Sequence, residues 1–215
     1  RKARKAGGIA NTAKPDSAPP PDKGRWPAAG HDARKRETRQ PMTYAELRQL
    51  AQTGDVLLVR GSMWVRLLTA ESYSHVGLLI WDGDDGLWLY EFVEGEGYRS
   101  LPAAQWFKER AGRGQEIYYG EAPEIVRAQP WWVIQAARAY RDRGLRRRYG
   151  WLSLLTVWWS QIRGKRLPVW FRVCSTFVQE CWEAARFQEF ERTADPGDIA
   201  AACGSLHRID YQEAA

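Results

Sequence analysis

This chain contains side chains that together can perform nucleophilic catalysis by a thiol. Such catalysis needs a thiol with a lowered pKa, a base that takes its proton and a polar group that orients the base. The leading candidates are Cys174 as nucleophile, His75 as base and Glu91 as orienting group. Glycine-rich nucleotide loops and the serine-hydrolase and zinc-protease motifs are absent. Because the histidines and cysteines also lack metal-ligand spacing, the sequence predicts neither a cofactor nor a metal ion.

Cys174 begins a helix predicted over 173–186 and follows a basic stretch. The positive end of the helix dipole would favour the thiolate there. The same cysteine starts an apolar stripe with helical spacing, which consists of Cys174, Phe177, Val178, Cys181, Trp182 and Ala185. The spacing alone fits a core cysteine as well as a nucleophile at the head of a buried helix. Cys181, two turns further along, is interpreted as a packing residue.

His75 is the histidine on a predicted strand, since His31 falls in a predicted tail and His207 in the C-terminal segment. The turn-forming residues 82–86 join strand 74–81 to strand 87–93 in an antiparallel hairpin. That hairpin can bring Glu91 next to His75, where a carboxylate would fix the imidazole tautomer. The alternatives are a structural histidine and a surface carboxylate.

The elements that must position these residues indicate an α+β fold. Further strands are predicted at 56–59 and 116–119, and helices at 43–52, 102–110, 130–143 and 150–162. Thr43 and Glu46 have the spacing of a capping box, and Asp55 after Gly54 is interpreted as a turn residue rather than a catalytic acid. We expect a small antiparallel sheet packed with helices.

Charge divides the chain into two regions. Residues 1–40 hold eleven Lys and Arg against four Asp and Glu, a charge of +7, and are rich in Pro, Ala and Gly. Residues 41–215 hold 21 against 22, a charge of −1. We therefore expect a disordered basic tail or linker over 1–40 and one domain over 41–215. The domain's charge gives no indication of nucleic-acid binding, although the tail could tether it to an anionic surface.

The cellular compartment is not indicated by the sequence. Three cysteines without a C-x-x-C pair argue against a disulfide framework. No secretory leader is visible at Arg1, and no apolar run reaches the roughly 18 residues of a transmembrane span. The Trp-rich segment 150–172 fits core packing, a wall of a substrate cleft or a membrane-surface contact.

Four motifs in sequence order resemble one known family. They are Gly54-Asp55-Val56, Ser74-His75-Val76-Gly77, Tyr90-Glu91-Phe92 and Cys174-Ser175-Thr176-Phe177-Val178. This order is similar to that of the circularly permuted papain-like amidases of the YaeF/YiiX type, within the NlpC superfamily. The resemblance covers about residues 50–200. It implies a permuted papain-like fold, the roles given above for Cys174, His75 and Glu91, and an oxyanion site at the start of the cysteine helix.

The chain departs from this family just after and before the cysteine. Thr176 stands where members often have an acidic residue, and Tyr149-Gly150 stands in place of a Tyr-Asp pair. The resemblance implies a thiol hydrolase that forms an acyl-enzyme. Its substrate would be an amide, such as a peptidoglycan-type peptide, or a lipid conjugate, with acyl transfer as a variant of the reaction. A non-catalytic binding or structural module with the same fold is the alternative.

Overall fold

A computed structural model describes residues 37–60, 72–83, 86–93, 96–111, 113–142, 159, 163 and 173–210. Within these residues, seven strands and six helices form an α+β fold. The strands are β1 (Glu37–Thr43), β2 (Val56–Arg60), β3 (Tyr73–Trp81), β4 (Leu87–Val93), β5 (Gly97–Pro102), β6 (Ile117–Gly120) and β7 (Leu206–Asp210). The helices are α1 (Tyr44–Leu50), α2 (Ala103–Ala111), α3 (Glu124–Arg127), α4 (Pro130–Asp142), α5 (Cys174–Ala184) and α6 (Pro196–Ala202).

The strands form one sheet in the order β1-β7-β6-β2-β3-β4-β5. Neighbouring strands are antiparallel except at one edge, where β1 and β7 are parallel. The sheet is therefore larger than the small antiparallel sheet predicted from the sequence. Strand β1 also begins at Glu37, within the segment predicted to be a tail.

Apolar clusters cover both faces of the sheet. On one face, α1 and α2 contribute Leu47, Trp106 and Phe107 to a cluster with β-strand residues. On the other face, α4, α5 and α6 pack through a larger aromatic cluster that contains Phe177 and Trp182. Strands β2, β3 and β4 are consequently buried on both faces, which explains their nearly continuous apolar sequences.

Two local predictions are confirmed by hydrogen bonds. The Thr43 backbone N–H donates to Glu46 Oε2 at 2.7 Å, and the Glu46 N–H donates to Thr43 Oγ1 at 3.2 Å, which makes the predicted capping box. The β3–β4 turn closes where the Asp82 N–H donates to the Gly86 carbonyl at 3.2 Å. Gly86 has a φ of 93°, a conformation that glycine adopts without strain.

Asp55 is a buried structural residue at the start of β2. It accepts the Gln52 N–H at 2.7 Å, as a turn residue does, and also the Tyr119 hydroxyl at 2.6 Å. Arg127 donates to both of its carboxylate oxygens, Nε at 2.8 Å and an Nη at 2.9 Å. Next to this pair, Trp182 Nε1 donates to the Gly54 carbonyl at 2.9 Å and ties α5 to the same end of the sheet.

Several sequence predictions lie outside the described residues. They concern most of the tail, the helix at 150–162 and nearly all of the Trp-rich segment 150–172. Among the described helices, none is long and apolar enough to cross a membrane.

Candidate active site

Cys174 is the first residue of α5, and the local sequence caps that helix without an acidic residue. Val173 is the N-cap, and its N–H donates to Thr176 Oγ1 at 3.0 Å. Thr176 Oγ1 in turn donates to the Val173 carbonyl at 3.0 Å. The Thr176 hydroxyl thus closes the first turn of the helix. Because Cys174 is the first residue of the helix, its N–H has no acceptor within the helix.

The apolar stripe predicted for α5 is buried along its whole length. Cys174 is 3% exposed, and Phe177, Val178, Cys181, Trp182 and Ala185 are fully buried. The Phe177 ring contacts the rings of Phe92, Tyr98 and Tyr140. These contacts fix the helix against β4, β5 and α4. The helix start is therefore held rigidly, which a positioned nucleophile requires.

His75 lies on β3 opposite Val59 of β2, beside a bulge in which Ser74 is the extra residue. Its side chain is 14% exposed. The imidazole and the Cys174 thiol lie close enough to shift each other's pKa, and the backbone N–H groups of Val76 and Ser175 also lower the pKa of the thiol. The structure thus brings together two residues that are 99 positions apart.

Glu91 holds the other side of the imidazole. Glu91 Oε2 lies 2.5 Å from His75 Nε2, and the Glu91 side chain is fully buried. Because Nε2 is engaged by the carboxylate, Nδ1 is the ring nitrogen available to the thiol. The three predicted site residues therefore form one continuous chain of contacts, in the order Cys174, His75, Glu91.

The interactions among Cys174, His75 and Glu91 shift the pKa of each of the three groups. Burial lowers the pKa of His75, but the Cys174 thiolate and the Glu91 carboxylate outweigh burial and raise it to about 9. Burial is the largest single effect on the pKa of Cys174 and raises it, but the His75 imidazole and the N–H groups of Val76 and Ser175 together leave this pKa below its usual value. The Glu91 pKa is lowered to about 2, because His75 and Arg99 outweigh its burial.

Sequence reasoning missed three residues that contact Glu91. Trp106 Nε1 donates to Oε2 at 3.1 Å, Arg99 Nε donates to Oε1 at 2.7 Å, and an Arg110 Nη lies 3.8 Å from Oε2. A signal for Arg99 was present in the sequence. Strands β4 and β5 pair antiparallel as a second hairpin, in which Arg99 lies directly opposite Glu91.

The other histidine and cysteine candidates are not part of this site. His207 lies on β7, where its Nε2 is 2.9 Å from Ser205 Oγ. Cys203 is buried and donates to the Ile199 carbonyl at 3.3 Å. Cys181 is fully buried in the aromatic cluster, as a packing residue would be. His31 lies outside the described residues.

No group of three or more His, Cys, Asp or Glu side chains that could hold a metal ion occurs in the part of the chain that the structure describes.

Comparisons with known proteins give similarity to solved structures and no family. No family profile matches the sequence, and no curated protein matches it. The fold is similar to the crystal structure of the metalloprotein YiiX from Escherichia coli O157:H7, with a TM-score of 0.41 and 16% sequence identity. The similarity covers 75% of this chain and 97% of that chain. At this TM-score, the similarity assigns neither a family nor an activity to the chain.

Proposed function

We propose that this protein is a cysteine-dependent hydrolase or acyltransferase with a permuted papain-like fold. The observation that carries the proposal is the chain of contacts from the Cys174 thiol through the His75 imidazole to the Glu91 carboxylate. A buried thiol at a helix start, paired with a histidine that a carboxylate orients, has the components of an activated nucleophile.

In the proposed reaction, the Cys174 thiolate attacks the carbonyl carbon of an amide or ester. The backbone N–H at the start of α5 stabilises the oxyanion that forms. The His75 imidazolium donates its proton to the leaving amine or alcohol as the carbon–heteroatom bond breaks, which leaves a thioester on Cys174. Neutral His75 then takes a proton from water or from an acceptor alcohol or amine, whose oxygen or nitrogen attacks the thioester and releases the thiolate.

The substrate class follows from the resemblance in sequence rather than from the contacts. That resemblance favours an amide in a peptidoglycan-type peptide, or a lipid-linked acyl group. Water as the second nucleophile gives hydrolysis, and an acceptor alcohol or amine gives acyl transfer. The same three side chains serve both reactions.

The test is the pH dependence of iodoacetamide alkylation at each cysteine, mapped by mass spectrometry in the wild type and in His75→Ala. We expect rapid alkylation of Cys174 well below the usual thiol pKa of ~8.5, and loss of this reactivity in His75→Ala. Cys181 and Cys203 serve as internal controls, because both are buried and neither belongs to the site. Slow alkylation of Cys174 that does not depend on His75 would refute the proposal.

A non-catalytic binding module is the second candidate. The low exposure of Cys174, 3%, is the observation that favours it. An active-site-directed acyl probe distinguishes the two, since only an activated thiolate forms a thioester with it. Labelling at Cys174 that is abolished in His75→Ala supports the enzyme, whereas no labelling supports the binding module.

A further inference from the structure

Arg99 contacts the oxygen of Glu91 that His75 does not use. It lies on β5 directly opposite Glu91. Its Nε donates to Glu91 Oε1 at 2.7 Å, and one of its Nη atoms lies 2.6 Å from the same oxygen. His75 and Trp106 occupy Oε2. Each carboxylate oxygen therefore has its own partners, and rotation of the carboxylate would break both sets of contacts.

Arg99 is itself held in place by acidic side chains. One Nη lies 3.2 Å from Glu109 Oε2 on α2, and the other lies 3.6 Å from Glu96 Oε2 just before β5. The Arg99 side chain is 27% exposed, so it closes the outer side of the buried carboxylate. The second guanidinium near Glu91 is that of Arg110, which is 9% exposed and stacks over the Trp106 ring.

The charged groups around the site come from four elements. His75 on β3, Arg99 on β5 and Arg110 on α2 face Glu91, and Cys174 on α5 faces His75. Arg99 is the nearer of the two guanidinium groups at Glu91, and a buried carboxylate that loses a close cation takes up a proton more readily. A protonated Glu91 would no longer stabilise an imidazolium. A cation on the far side of Glu91 therefore preserves the acceptor that His75 needs.

We propose that Arg99 is a positioning residue of the Cys174–His75 pair and acts through Glu91, which it keeps ionised with Oε2 turned toward His75. This inference rests on the proposed function. Arg99 does not touch the thiol; it determines how Glu91 holds the imidazole, and the imidazole determines how much thiolate is present.

The test compares Arg99→Met and Arg99→Lys by the pH profile of Cys174 alkylation in the full chain. Arg99→Met should move the pH profile toward that of an ordinary thiol. Alkylation at pH 6 should slow by about tenfold, which corresponds to a rise of about one unit in the pKa of the Cys174 thiol. Arg99→Lys keeps the charge but not the two-atom contact, so its profile should lie between those of Arg99→Met and the wild type.

Arg127→Met is the matched control. Arg127 also pairs with a buried carboxylate through two nitrogens, but it does so at Asp55, at the opposite end of β2 from His75. Melting temperatures and circular dichroism are recorded for every variant, and Arg99→Lys keeps the test valid if Arg99→Met does not fold. If the Arg99→Met profile, or the Arg99→Lys profile where Arg99→Met does not fold, coincides with that of Arg127→Met, the role of Arg99 is merely structural and the inference is overturned.

A double-mutant cycle tests whether Arg99 acts through Glu91. In a Glu91→Gln background, Arg99→Met should produce no further change in the profile, whereas additive changes would contradict the inference. The outcome for the proposed function is read separately. If wild-type Cys174 is not activated in a His75-dependent way, both proposals fail; if it is activated and Arg99 variants leave the profile unchanged, only the role of Arg99 fails.

Discussion

The Glu91 carboxylate and the His75 imidazole are in contact at 2.5 Å, although the two residues do not face each other in the sheet. Strands β3 and β4 pair from Leu78 opposite Tyr90 to Trp81 opposite Leu87, and both site residues lie beyond this paired region. Glu91 contacts Trp106 on the α2 face, whereas Cys174 belongs to the apolar cluster on the α5 face. His75 thus links groups from both layers at the point where the paired part of β3 and β4 ends.

Replacing Glu91 with Gln should weaken the activation of Cys174. The carboxylate charge raises the His75 pKa, so its removal lets burial lower that pKa. The imidazolium, and with it the Cys174 thiolate that it stabilises, then becomes less favourable. We expect the alkylation rate of Cys174 at pH 6 to fall about tenfold, equivalent to ~1.4 kcal/mol. Glu121→Gln, at the Asp55 end of the sheet, is the control and should match the wild type. Unchanged alkylation in Glu91→Gln would argue against an orienting role.

Glu91 should also make folding sensitive to acid. Its pKa is about 2 in the folded protein, against 4.5 for a free glutamate. Because the folded value is lower, the stabilisation is present above pH 4.5 and is lost as the pH falls toward 2. It amounts to about 3 kcal/mol. Urea unfolding followed by Trp fluorescence should show the wild type losing more stability than Glu91→Gln between pH 5 and pH 3. Parallel pH dependences would contradict this assignment.

Arg127→Met should destabilise the fold without affecting the candidate site. The change leaves Asp55 as a buried carboxylate without its cation, and loss of one partner of such a pair costs about 3 kcal/mol. Chemical denaturation measures the free energy of unfolding, and Arg208→Met provides a control at a half-exposed arginine on β7. A loss below about 1 kcal/mol would show that Asp55 does not depend on this ion pair.

Thr176→Val should loosen the start of α5. It removes the hydroxyl that accepts the Val173 N–H and keeps a β-branched side chain of similar size. We expect a loss of about 1 kcal/mol in the free energy of unfolding, as for other helix caps. Thr176→Ser keeps the hydroxyl and should retain most of the stability. Equal losses in the two variants would assign the effect to packing of the methyl group instead.

Local patterns in the sequence predicted the elements that carry the site. The strands at 74–81 and 87–93 and the helix beginning near Cys174 agree with the structure to within one or two residues at most of their ends. Two apolar runs joined by turn-forming residues identified the hairpin, and a stripe of apolar residues with helical spacing identified the buried face of α5. These patterns depend on contacts within a few residues, so they can be read from one segment at a time.

Other elements were missed because their sequences carry a weak signal. β1 and β7 pair at one edge of the sheet, and β7 buries Leu206 and Ile209 while Arg208 and Asp210 are exposed. A short strand with few apolar residues has too little periodicity to be identified alone. Its formation depends on pairing with a distant partner, which only the folded chain supplies.

The sequence by itself determined which side chains were available: a cysteine at the head of a helix, a histidine on a strand and a glutamate on the next strand. It left open whether Cys174 was a core residue or a partner of His75. Helical periodicity shows which face of the helix a residue lies on, but not which residue of another element that face contacts. Only the tertiary structure decided that α5 packs with its first residue against His75, and that Arg99 and Arg110 neutralise Glu91. Both arrangements depend on packing between elements distant along the chain, where burial of apolar surface and pairing of buried charges select the neighbours.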